Sequence, residues 1–266
     1  MSGAEDDRKM PLLEHLVELR TRLLYAAAGF FVAFFICFHF AQYILEFLQR
    51  PLAELLPAGR PMIFTDLTEP FFTQIKVAAF GALCVSFPVI AAQIWAFIAP
   101  GLYKHEKHAF LPFLIATPIM FIVGMAFVYY VLMPMAWKFF LGFETEGGNG
   151  TLAIQLLPKI GEYINLIMKL VFAFGFCFEL PVLLTLLAKV GIVSSQALRD
   201  KRRYAIVAIM VVAAVVTPPD PLSMMSLAVP MLALYEVSVI MARLVEKKRS
   251  EQEAQADEAG TDVKPA

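Results

Sequence analysis

Residues 23–45 read LLYAAAGFFVAFFICFHFAQYIL, twenty-three positions without Asp, Glu, Lys or Arg. An α-helix rises ~1.5 Å per residue, so such a run covers the ~30 Å hydrocarbon layer of a bilayer. Charge-free runs recur at Val77–Ala99, ending at Pro100, and at Ala109–Trp137, while Leu170–Ala188 holds one charge, Glu179. Tyr204–Thr217 and Leu222–Ala242 follow, separated by Pro218, Pro219, Asp220 and Pro221. Prolines there end one helix and turn the chain back. The pattern predicts an all-α, polytopic membrane protein with six transmembrane helices. The fifth run has 14 residues, or ~21 Å of helix. Either the mismatch is real and is relieved by bilayer thinning or helix association, or one end is misplaced by a few residues.

Composition agrees. Of 266 residues, 59% are hydrophobic and 17% charged, the mean hydropathy is +0.69, and there are 24 Phe. That apolar surplus exceeds what one water-soluble core of this size hides. A net charge of −1 argues against a disordered chain or a nucleic-acid binder. Cys37, Cys84 and Cys177 lie inside apolar runs and are odd in number, which reads as small buried hydrophobes without a disulfide framework. Glu5, Asp6 and Asp7 dilute Arg8 and Lys9 ahead of an over-long apolar run, so no cleavable signal is read.

The cations set the orientation. With a cytoplasmic N-terminus, 16 Lys and Arg fall on that side and six on the other, those six being Arg50, Arg60, Lys76, Lys138, Lys159 and Lys169. This bias places both termini in the cytoplasm. Three regions are expected: a cytoplasmic N-terminal segment (1–22), a six-helix transmembrane domain (23–242) and a charged cytoplasmic tail (243–266) that reads as disordered. Two long loops, 46–76 and 138–161, cap the exported side. The first, with Pro51, Pro57, Pro61 and Pro70 among Leu55, Phe71 and Phe72, looks like short helices folded over the bundle.

Catalytic motifs are missing. The chain has no phosphate-loop motif and no Gly-x-Ser-x-Gly, and His105 and His108 are three apart rather than the four of a zinc-protease helix. No enzyme, cofactor or metal site is read.

Two features call for another explanation. Nine residues separate Glu179 from each of Lys169 and Lys189, which puts it near mid-bilayer. An acid there costs about 2.5–3.5 kcal/mol unless it is neutralised or meets water or a partner. Pro181 also frees the carbonyl of Cys177, adding polarity to the same spot. Glu179 is then either a protonated group bonded to a neighbouring helix, or a site for a translocated species or a partner's polar side chain. A proton-coupled secondary transporter using Glu179 is the alternative function this leaves open. The second feature is the cytoplasmic rim, where Glu14, Glu18 and Arg22 share a helical face at spacings of four. That is either a solvated ion-pair ladder or, with carboxylates on two segments, a cradle for a guanidinium.

Here a resemblance enters. His15–Leu23, the stretch from Trp95 to Glu106 (WAFIAPGLYKHE), Phe178-Glu179-Leu180-Pro181-Val182 and Thr217-Pro218-Pro219-Asp220 together resemble the TatC family of the bacterial twin-arginine translocase, over about residues 10 to 245. The resemblance implies six helices in a concave, glove-like bundle, with helices five and six short, in the bacterial inner membrane. It implies a non-enzymatic receptor for twin-arginine signal peptides of folded precursors, self-associating and assembling with single-span TatA and TatB partners. Export is driven by the proton gradient. By position, Glu18 and Glu106 correspond to the acids that engage the arginine pair, with Arg20, Phe97 and Lys104 in the same region. Glu179 corresponds to the buried acid near the partners, and Pro51, Phe71 and Asp220 match important exported-side positions.

Overall fold

The computed structural model describes residues 12–57, 59–98, 107–148, 150, 152–217 and 221–261. Its elements are helical: α1 (Leu12–His39), α2 (Ala41–Ala53), α3 (Glu69–Ile98), α4 (Lys107–Phe127), a π-helical turn (Val128–Leu132), α5 (Met133–Leu141), α6 (Ile160–Cys177), α7 (Leu180–Val190), α8 (Ser195–Asp200), α9 (Arg202–Val216) and α10 (Pro221–Thr261). Five stretches are long and apolar enough to cross a membrane: His15–His39, Glu69–Phe97, Leu111–Leu141, Ile160–Val190 and Met224–Glu251. The chain is an all-α, polytopic membrane protein. α9, with 15 residues, matches the run read as a short fifth span to within two residues at each end.

Several boundaries differ from the sequence expectation. The first apolar run is interrupted at Phe40, and its last residues belong to α2, where Ala41, Leu48 and Leu52 are buried while Gln42, Glu46 and Arg50 are exposed. α3 starts at Glu69, eight residues before the apolar run, because Pro70 fits the first helical turn, where its missing N–H costs nothing. The fourth run is two helices broken at Phe178 and Glu179, with Pro181 in the first turn of α7. The last helix is not short, and the tail is helical as far as Thr261. Past its apolar part, α10 continues through Glu, Gln and Ala, which are good helix formers, and low hydrophobicity alone did not register this.

The chain divides into two compact units, Met1–Leu45 with Gln74–Pro118 and Glu46–Thr73 with Ile119–Ala266. In the first, Ala33, Cys37 and Ala82 pack with Phe30, Phe34 and Ile44. Trp95 Nε1 donates to Thr117 Oγ1 at 3.2 Å, satisfying both groups inside the apolar layer. In the second, α4 meets α6 closely enough that a Cβ on Gly124 would stand 2.8 Å from the Phe174 carbonyl oxygen. α10 lies against α7, α8 and α9, and the buried Tyr235 hydroxyl donates to the Leu198 carbonyl at 2.7 Å.

Candidate functional site

The rim belongs to the first unit. The four-residue spacing on α1 brings Arg22 Nη2 to Glu18 Oε1 at 3.4 Å, and Arg22 Nη1 reaches Gln93 Oε1 on α3, also at 3.4 Å. Both contacts are at the long end of hydrogen bonding, and only one guanidinium nitrogen faces the carboxylate. Glu18 is partly exposed, so the pair is a weak one. One turn before Glu18, the His15 ring stacks on Phe97, with centroids 4.3 Å apart and planes 18° from parallel. The structure thus brings Glu18 and Phe97, sequence-distant site residues, to one end of the α1–α3 pair. Arg20 is exposed on the same helix. Lys104, Glu106 and Asp220 lie outside the described residues.

Gln93 was not among the expected site residues. It is an uncharged polar residue within a charge-free run, and its amide oxygen accepts from the guanidinium on the other helix.

The remaining expected residues lie in the second unit. Glu179 is 5% exposed and occupies the break between α6 and α7. Pro51 is buried in α2 and has no N–H for the carbonyl four residues back, that of Phe47. The Tyr129 hydroxyl donates to that orphaned oxygen at 2.8 Å, and the Tyr129 and Phe47 rings stack at 4.3 Å. At the next residue of α2, the Tyr163 hydroxyl donates to the Leu48 carbonyl at 2.9 Å. Phe71 is 60% exposed, its ring edge-on to Phe72.

The loops after α2 and α5 are pinned to each other. Ile63 and Lys159 form a parallel bridge through Ile63 N to Pro158 O and Ile160 N to Ile63 O. The Glu69 carboxylate accepts from Gly161 N at 2.9 Å and Thr65 N at 3.2 Å. Arg60 pairs with Glu144, whose Oε1 also accepts from Leu156 N at 2.8 Å. The Leu156 N–H, and then the Arg60 guanidinium, hold the Glu144 carboxyl below the usual carboxylate range. Among the described residues, no group of three or more His, Cys, Asp or Glu could hold a metal ion.

Comparisons with known proteins show which family the chain resembles. A family profile described as TatC, Sec-independent protein translocase protein, matches residues 14–230. The Sec-independent protein translocase protein TatC of Magnetococcus marinus is 49% identical over 253 residues, covering 95% of this chain and 91% of its own. That of Escherichia coli (strain K12) is 42% identical, covering 91% and 92% respectively. A crystal structure of the twin-arginine translocase receptor TatC superposes with a TM-score of 0.75 at 37% identity, over 87% of this chain and 99% of that one.

Proposed function

Because the chain belongs to the TatC family of Sec-independent protein translocase proteins, we propose that it is the receptor subunit of a twin-arginine translocation system in a bacterial inner membrane. The observation that carries this is the likeness to a twin-arginine translocase receptor over nearly the whole of that receptor's length. The receptor is not an enzyme. It binds the signal peptides of folded precursors, and the transmembrane proton gradient drives export.

In this reading the twin arginines engage Glu18 and Glu106, with Phe97 as an apolar wall and Arg20 and Lys104 at the edge. A guanidinium is a planar fork that pairs bidentately with a carboxylate, whereas an ammonium is a point charge, so arginine is preferred to lysine. Each charged hydrogen bond gained is worth about 1.5–3 kcal/mol. Glu18 supports the assignment because its resident cation, Arg22, holds it by one long contact and is shared with Gln93. An incoming guanidinium displaces little when it takes that place.

The finer architecture follows the family. The chain makes six spans with α9 as the short fifth, in a concave bundle with both termini cytoplasmic and residues 46–76 and 138–161 as exported-side caps. Glu179 lies on the side that TatA- and TatB-type single-span partners approach, Pro51, Phe71 and Asp220 correspond to exported-side positions important in the family, and copies of the chain self-associate.

The test is photocrosslinking from a benzophenone-bearing phenylalanine at position 97 to a signal peptide carrying either its arginine pair or two lysines. The receptor reading predicts a crosslink that is strong with arginines and weak with lysines. Equal crosslinking of both peptides contradicts it.

A further inference from the structure

The π-helical turn between α4 and α5 has a consequence for Trp137. The Met133 N–H donates to the carbonyl of Val128, five residues back, so one extra residue is wound into the helix. The insertion rotates everything after it by ~100° relative to a regular α-helix. Met133 and Trp137, four apart, therefore share the buried face of α5.

Trp137 is 6% exposed and packs against Tyr163, with ring centroids 5.2 Å apart. Its indole Nε1 can only donate, yet it is buried and has no acceptor among the described residues. A buried donor left in that condition is destabilising unless something accepts its proton. Trp137 lines a cavity walled by Met133, Leu166 and Leu170, with Thr217 and Ser226 also on its lining. The cavity offers about 20 Å³ to the centre of a water molecule. One water needs roughly 10–15 Å³ by the same measure, and two to four polar partners. Thr217 is buried and commits its proton to the Ala213 carbonyl at 2.8 Å, which leaves its oxygen lone pairs to accept.

We propose that this cavity is a binding site for a single ordered water molecule, which accepts from Trp137 Nε1 and donates to Thr217 Oγ1, with the Ser226 hydroxyl as its third partner. The space for a water-sized centre and the two hydroxyls on the lining suit one water. The resulting relay runs from the indole N–H through water and the Thr217 hydroxyl to the Ala213 carbonyl. It ties α5 to Thr217, which follows the last residue of α9. The water-mediated joint holds this end of α9 in register with α5.

The test uses the full chain in lipid nanodiscs with ¹⁵N-labelled tryptophan. The chain has two Trp, so it gives two indole signals, assigned by the one that disappears in Trp95→Phe. The proposal predicts a cross-peak between the Trp137 indole proton and a long-lived water. Thr217→Val, close to isosteric, removes that cross-peak and moves the indole proton upfield, while Thr217→Ser retains both signals. The Trp95 indole, bonded to Thr117, stays in place and shows that the variants are folded. A Trp137 indole with no water cross-peak and no response to Thr217→Val overturns the proposal, and so does a cross-peak to lipid acyl protons in place of water.

Discussion

Two carboxylates of this chain meet an arginine in contrasting ways. Glu144, in the loop after α5, pairs with Arg60 and also accepts from the Leu156 N–H, so the chain makes two bonds to its Oε1. Glu18, at the rim on α1, has one contact of 3.4 Å from a guanidinium that also reaches Gln93. The first arrangement fastens two loops that the sequence separates by 84 residues. The second ties a residue only to its own helix and stabilises little. What separates them is the number of hydrogen bonds made inside the chain, and that number distinguishes a structural acid from one available for exchange.

The largest effect expected is at the rim. Glu18→Gln loses the charged bonds to the signal arginine, and at about 1.5–3 kcal/mol the affinity for a twin-arginine peptide falls roughly 10- to 100-fold in a binding titration. The melting temperature hardly moves, because an exposed pair is worth about 0.2–1 kcal/mol. Tyr129→Phe does the reverse. It removes the donor to the Phe47 carbonyl that Pro51 leaves open, costing about 0.5–1.5 kcal/mol of stability in thermal melts, with peptide affinity unchanged. Arg22→Gln sharpens the comparison further. Removing the resident cation frees Glu18, and peptide affinity rises by up to about 5-fold, the worth of an exposed pair. Loss of affinity in this variant would show that Arg22 orients the carboxylate instead of competing for it.

The smallest effect concerns acid. Glu144 has a folded-state pKa below its ordinary value, so its contribution is fully present above the usual glutamate range near ~4.3 and is lost as pH falls through the folded value. Glu144→Gln therefore melts a few degrees lower than wild type at neutral pH, and the gap closes as the pH is taken well below 4. A gap that stays constant down to low pH would mean the carboxylate charge is not what fastens the loops.

Much of this was legible in the sequence, for identifiable reasons. Apolar runs mark helices because the bilayer allows few other structures, and the α9 boundaries followed closely from Tyr204 and Thr217. Hydropathy does not register interruptions, however. The break at Phe40 falls within a charge-free run, that at Phe178-Glu179 has apolar residues on both sides, and α10 continues through charged residues that composition reads as a disordered tail. At the rim, Glu18 stood out by its four-residue spacing from Arg22 and Phe97 by motif resemblance, whereas Gln93 depends on a contact between helices that no spacing encodes. Tyr129 had a usable signal. A proline inside a helix orphans the carbonyl four residues earlier, so Pro51 already implied that Phe47 needed a donor, though not which residue would supply it.

The most direct test of the exchangeable-carboxylate account compares the affinities of a twin-arginine and a twin-lysine signal peptide, each titrated against wild type and Glu18→Gln in nanodiscs. The account predicts that wild type favours the arginine peptide by about 10-fold or more and that Glu18→Gln reduces this preference towards unity, since a neutral amide cannot exploit the guanidinium fork. An arginine preference that survives Glu18→Gln undiminished would contradict it.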